Sequence, residues 1–140
     1  MQYIKLNNGQ QMPQVGLGTF LIPDDKLSQT IGKAYELGYR SFDTAWRYHN
    51  ESLISAALKE NGIKREDIFI TTKVNADGLY KKDYQYGLHR FLNRKNGKTV
   101  KQLIQESFDN LGTDYIDLFL IHWPWPVFPQ MWEELSRLYK

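Results

Sequence analysis

The chain alternates short strand-like runs, the last nearly all apolar at its centre, with longer stretches whose apolar residues return every three or four positions, and this alternation constrains its fold more than any other feature. Residues 15–20, 39–44, 67–74 and 115–122 read as strands, rich in β-branched and aromatic side chains. After the first run, Asp24 or Asp25 suits a helix cap, and Leu27, Ile31, Ala34, Tyr35 and Leu37 follow at helical spacing as far as Gly38. Residues 51–59 place Leu53, Ile54, Ala57 and Leu58 on one helical face, with Asn61-Gly62 as the stop. Thr99 and Gln102 form a capping box for a helix running to Leu111 and closed by Gly112. Pro129 suits the first turn of a last helix over residues 130–139. Strands and helices in strict alternation require crossover connections, which make a parallel α/β sheet. Runs that are apolar throughout, rather than at every second residue, predict strands buried on both faces.

Two segments stand outside this alternation. Residues 1–13 read as an N-terminal hairpin, turning at Asn7-Asn8-Gly9. Residues 76–97 are irregular, basic and aromatic, and read as an insertion or loop. No low-complexity linker divides residues 1–140, so they read as a single domain. A net charge of +2 gives little attraction to nucleic acid or an acidic membrane, and neither is expected as a partner. The absence of cysteine excludes disulfides, thiolate metal sites and a cysteine nucleophile. It suits a reducing cytoplasm, which is the expected location, since no basic segment leads into an apolar run at the N-terminus. His49, His89 and His122 lack metal-ligand spacing, so no metal site is expected.

Polar residues gather where the strands end. Asp43 ends the second run with Tyr48 five residues beyond it, Lys73 lies near the end of the third, and His122 closes the fourth. Active sites of parallel α/β folds lie at that end of the sheet. Alternation along each strand groups Tyr39, Ser41 and Asp43 on one face, then Phe69, Thr71 and Lys73, then Ile116, Leu118, Leu120 and His122. Taken singly, each has a plainer reading: Asp43 as a cap, Tyr48 as a half-buried surface aromatic, Lys73 as a solvated strand end, and His122 as a core histidine. Gly16 and Gly18 make no dinucleotide fingerprint, because no GxGxxG opens a helix. Arg90, Arg94, Lys95, Lys98 and Lys101 could meet phosphates, although a solvated loop is the simpler reading.

Four segments together resemble one family. Gly38-Tyr39-Arg40-Ser41-Phe42-Asp43-Thr44-Ala45, with Tyr48, Asn50 and Glu51, is similar to the first signature of the aldo-keto reductases. Leu17-Gly18-Thr19-Phe20 resembles that family's first-strand motif, and Ile70-Thr71-Thr72-Lys73 its lysine strand. Leu111-Gly112-Thr113-Asp114-Tyr115-Ile116-Asp117-Leu118 and then Ile121-His122-Trp123-Pro124 resemble its second signature. The resemblance implies the N-terminal half of a (β/α)8 TIM barrel: about four β/α units plus the N-terminal hairpin. It implies NADPH-dependent reduction of aldehydes or ketones to alcohols. By this resemblance the catalytic residues are Tyr48, Asp43, Lys73 and His122. Gly18, Thr19 and Asp43 border the cofactor, and Phe20 the substrate carbonyl. Read from the residues themselves, Trp46, Trp123 and Trp125 could wall an apolar substrate pocket beside Phe20, although aromatics near a barrel rim are often core. Most of the NADPH site is expected in a C-terminal half. A phenol is a reluctant acid near neutral pH, and a neighbouring ammonium stabilises its anion, which suits Tyr48 beside Lys73. The other reading, from a different class, is a non-catalytic half-barrel module that associates with itself or with a C-terminal half through open barrel edges.

Overall fold

In the computed structural model, which describes residues 2–76, 98–123 and 127–139, the alternation becomes an open four-stranded parallel sheet. Strands β1 (Tyr3–Lys5) and β2 (Gln11–Pro13) come first and pair antiparallel. They are followed by β3 (Leu17–Gly18), helix α1 (Asp24–Glu36), β4 (Ser41–Asp43), α2 (Glu51–Glu60) and β5 (Phe69–Val74). Then come α3 (Val100–Leu111), β6 (Leu118–Ile121) and α4 (Phe128–Leu138). The sheet order is β3-β4-β5-β6, so every strand lies beside its predecessor. Because parallel crossovers are right-handed, a strictly sequential order puts all the helices on the same face. That is barrel topology, not the doubly wound kind.

The register identifies the two faces. Phe42 pairs with Ile70, and this row, continued by Thr72 and Val74, faces the helices. Phe42 and Ile70, both fully buried, join Leu27 and Ile31 of α1 and Ile54 and Ala57 of α2 in one core. Val74 joins Leu103 and Ile104 of α3 and Met131 of α4 in a second. Helices α1 and α2 approach closely because position 32 is glycine: a Cβ there would lie 2.1 Å from the Asn61 side-chain oxygen. The opposite row comprises Asp43, Thr71 and Leu118, then Lys73 and Leu120. Among the described residues it receives no helix. The expectation of strands buried on both faces therefore fails at β6, where Leu120 is 38% exposed. Its apolar side chains suit a barrel interior, and the opposite wall of a barrel is what would cover them.

Element boundaries differ from the reading in an orderly way. Ladders form only where a neighbouring backbone pairs, so the runs 15–20, 39–44 and 115–122 shrink to Leu17–Gly18, Ser41–Asp43 and Leu118–Ile121. Residues Arg65–Asp67 form a 3-10 turn before β5 instead of opening the strand. Asp24 and Asp25 do not cap α1: Pro23 holds that position, and the two carboxylates lie in the first turn, where the helix dipole favours them. Helix α4 begins at Phe128, two residues earlier than read, with Pro129 in its first turn. The Thr99–Gln102 capping box forms with both reciprocal bonds, and Gly112 closes α3 at φ +61°. Residues 77–97, nearly all of the segment read as an insertion, lie outside the described residues, as do Arg90, Arg94 and Lys95. Among the described residues no helix is long and apolar enough to cross a membrane.

Candidate active site

Strand β5 aims Lys73 along the face that carries Asp43 on β4, two registers apart. The Lys73 ammonium donates to Asp43 Oδ1 at 2.5 Å and to the Thr44 carbonyl at 2.8 Å. Lys73 is 15% exposed at its side chain and Asp43 41%, so the pair sits at the rim, with the lysine inward and the carboxylate reachable from solvent. Just past β4, the 3-10 turn Trp46–Tyr48 brings the Tyr48 ring to 5.2 Å from the Lys73 nitrogen. His122 follows β6, and its backbone N–H extends the ladder to the Val74 carbonyl. The His122 ring stands edge-on to Tyr48 at 5.7 Å, and Phe20 packs on the other flank of Tyr48 at 4.8 Å. Asp43, Tyr48, Lys73 and His122 thus converge from three strands at the carboxyl end of the sheet, as their spacing suggested.

Burial lowers the His122 pKa, and the Lys73 and Arg47 cations lower it further against the pull of Asp43. The imidazole is therefore neutral near pH 7. Its Nδ1 is buried and has no hydrogen-bond partner among the described residues.

Other expected site residues divide. Gly18 is exposed beside Asp43, with nothing within 4 Å of where a Cβ would stand, and Phe20 is 60% exposed. Thr19, between them, is fully buried and offers a ligand no surface. Its amide and hydroxyl both donate to the Asp43 carbonyl, bracing the strand from below. Trp123 stacks on His122 and is 52% exposed, so it borders the cluster. Trp46 turns away: its indole N–H donates to Glu106 on α3 at 2.9 Å, and its ring packs against the α3–α4 core. Trp125 lies outside the described residues. Lys98 pairs with Glu106, so it is already bound to a carboxylate of its own chain.

Sequence reasoning named Asn50 and Glu51 within the first signature but assigned neither of these buried polar residues a role. Glu51, 2% exposed, accepts from Thr72 at 2.6 Å on the helix side of β5, and burial pushes its carboxyl up. Asn50, 4% exposed, bonds to Thr44 and Thr19. The signal for both was weak, because a polar pair ahead of an amphipathic helix reads as a cap and a first-turn acid.

A parallel β/α unit array on sequential strands, with its ionisable residues gathered at the carboxyl edge, defines the class: a partial TIM barrel with an enzyme-type site. The chain belongs to the aldo/keto reductase family, whose profile matches residues 14–140. It is 39% identical over 140 residues to methylglyoxal reductase DkgA of Escherichia coli O157:H7, covering 98% of this chain and 44% of that protein. The crystal structure of an aldo/keto reductase from Brucella melitensis superposes with a TM-score of 0.77 at 34% identity, covering 98% of this chain and 47% of that one. A Bombyx mori aldo-keto reductase in complex with NADP matches with a TM-score of 0.67 at 34% identity, over 88% of this chain and 38% of that one. The chain therefore spans less than half the length of such relatives.

Proposed function

We propose that this chain carries the proton-transfer half of an NADPH-dependent carbonyl reductase, acting on small aldehydes and ketones of the methylglyoxal class. The observation behind the reading is the Lys73 ammonium held between Asp43 Oδ1 and the Thr44 carbonyl, with Tyr48 and His122 facing each other beside it. NADP in a relative's structure and methylglyoxal in a relative's name support the cofactor and substrate class.

The residues fit the reactive end of the cofactor. Gly18 presents bare backbone with open space above it, next to the partly exposed Asp43 carboxylate, and these two would border the nicotinamide. Hydride is the chemistry that group supplies when bound. Phe20 and Trp123 present exposed aromatic surface beside Tyr48 and His122, where an apolar part of a substrate would rest. As the substrate oxygen gains negative charge, the Tyr48 hydroxyl gives it a proton, and the Lys73 cation stabilises the phenolate left behind. Asp43 and the Thr44 carbonyl keep the ammonium in place, and the carboxylate offsets its charge. Neutral His122, with its proton on Nε2, donates to the substrate oxygen and orients it.

Two measurements test this. NADPH binding to the purified chain, read as quenching of tryptophan fluorescence, comes first; micromolar affinity supports the reading, and no binding at millimolar cofactor counts against a working site in this chain alone. Methylglyoxal reduction, followed by NADPH absorbance, comes second. Tyr48→Phe lowers kcat by roughly 10² to 10⁴-fold with folding intact, the range of general acid catalysis. Unchanged turnover removes Tyr48 from the acid role.

One observation favours the module reading as well. Among the described residues, β3 and β6 are end strands, and the uncovered face beside β6 exposes Leu120. Such a surface suits pairing with a second half-barrel, whether another copy or a C-terminal half.

A further inference from the structure

Asn50 occupies the N-cap position of α2, where an asparagine ordinarily accepts a hydrogen bond from the helix's own free N–H groups. Here its side chain makes no cap bond. Oδ1 instead accepts from the Thr44 hydroxyl at 2.8 Å, and Nδ2 donates to the Thr19 carbonyl at 3.0 Å. All three residues are buried: Thr19 and Thr44 completely, Asn50 to within 4%. A buried amide must find partners, and this one finds both across the chain and none in its own helix.

Those partners matter because of what they touch. The Thr44 carbonyl accepts from the Lys73 ammonium, and the Thr44 amide donates to the Thr71 carbonyl of β5. Thr19 holds the Asp43 carbonyl through two donors. Between Thr44 and Asn50 runs the short loop that carries Tyr48, ending at His49 in a left-handed conformation with φ +57°. One side chain therefore ties the two ends of the Tyr48 loop together and bolts both to the end of β3.

We propose that Asn50 is a positioning residue: by closing the loop from Thr44 to Asn50 it sets the Tyr48 ring against His122 and Lys73. The proposal rests on the reading of Tyr48 as proton donor. A short loop fastened at both ends by buried hydrogen bonds has few alternative conformations, so the phenol is held in place before substrate arrives. Losing either bond leaves the backbone of the loop intact but free to shift, and a displacement near 1 Å costs about a hundredfold in rate.

The test uses the whole chain with Asn50→Ala and Thr44→Val; the second keeps the shape of Thr44 while removing the donor to Asn50. Nuclear Overhauser contacts from the Tyr48 ring to His122 and Phe20 are recorded beside the thermal melt and the kinetics of methylglyoxal reduction. The expected result is loss of the ring contacts in both variants, a retained cooperative melt, and a fall in kcat of about a hundredfold with a smaller change in KM. Folded variants with intact ring contacts and wild-type kcat overturn the proposal. If Asn50→Ala fails to fold, Thr44→Val decides alone. Tyr48→Phe run in parallel separates the two ideas: equal turnover in Tyr48→Phe and wild type defeats the proton-donor reading, while the ring contacts still show whether Asn50 sets Tyr48.

Discussion

His122 shows how a single residue couples the site to stability. Burial, Lys73 and Arg47 hold its folded pKa below the free value of 6.5. As pH falls through 6.5, the unfolded chain takes up the imidazole proton before the folded one does, so stability is lost from 6.5 down to the lower folded pKa. Urea midpoints measured at several pH values across that window fall for the wild type and fall less for His122→Gln. Equal slopes in the two proteins would show that His122 is not the group responsible. The buried Glu51 acts in the opposite sense, because its raised pKa means the folded state gains stability as pH drops toward 4.5, so the comparison of variants isolates the histidine. At this scale Asp43, Tyr48, Lys73 and His122 were legible from spacing. The complete burial of Thr19 and the indole N–H bond from Trp46 to Glu106 sixty residues on were not legible, since nothing in the sequence displays either.

Among the elements, β5 and β6 owe their shared start to one carboxylate. Asp117 Oδ2 accepts from the Ile70 backbone at 2.8 Å and from Arg65 at 2.6 Å, and Arg65 also donates to the carbonyls of Ile68 and Tyr115. The pair is only 17% and 15% exposed, and the guanidinium lies over the Tyr115 ring. Asp117→Ala leaves that guanidinium with its charge unpaired and costs about 3 kcal/mol in urea unfolding. Arg137→Ala, which breaks two pairs on α4, to Glu133 and Glu134, from a guanidinium 62% exposed, costs about 1 kcal/mol or less. Similar losses in both would mean that burial does not set the value of Asp117. The helices were the most legible elements, because capping boxes, stop glycines and apolar faces are local signals. Strand ends were not, since a ladder stops where the neighbour's backbone stops.

Across the molecule, the strand order settles what is left uncovered. Among the described residues four helices lie on one side and none on the other, and exposed Leu120, Trp123, Phe128 and Trp132 leave apolar surface at β6 and α4. Burying such surface contributes roughly 25 cal/mol per Å², so concentration-dependent association is expected in sedimentation equilibrium and should weaken in Leu120→Lys. A well-folded monomer at every concentration would eliminate self-pairing.

Local chemistry in the sequence determined the alternation of strand and helix, the helix stops, the parallel class and the alignment of Asp43, Lys73 and His122 at the ends of their strands. These depend on periodicity and on residues a few positions apart, which a single sequence displays directly. Tertiary structure decided that the helices share one face, that Thr19 braces the site instead of lining it, and that Asn50 fastens the Tyr48 loop in place of capping its helix. Each of those outcomes depends on which distant backbone or side chain comes within hydrogen-bond reach, and that is fixed only when the sheet has closed its register.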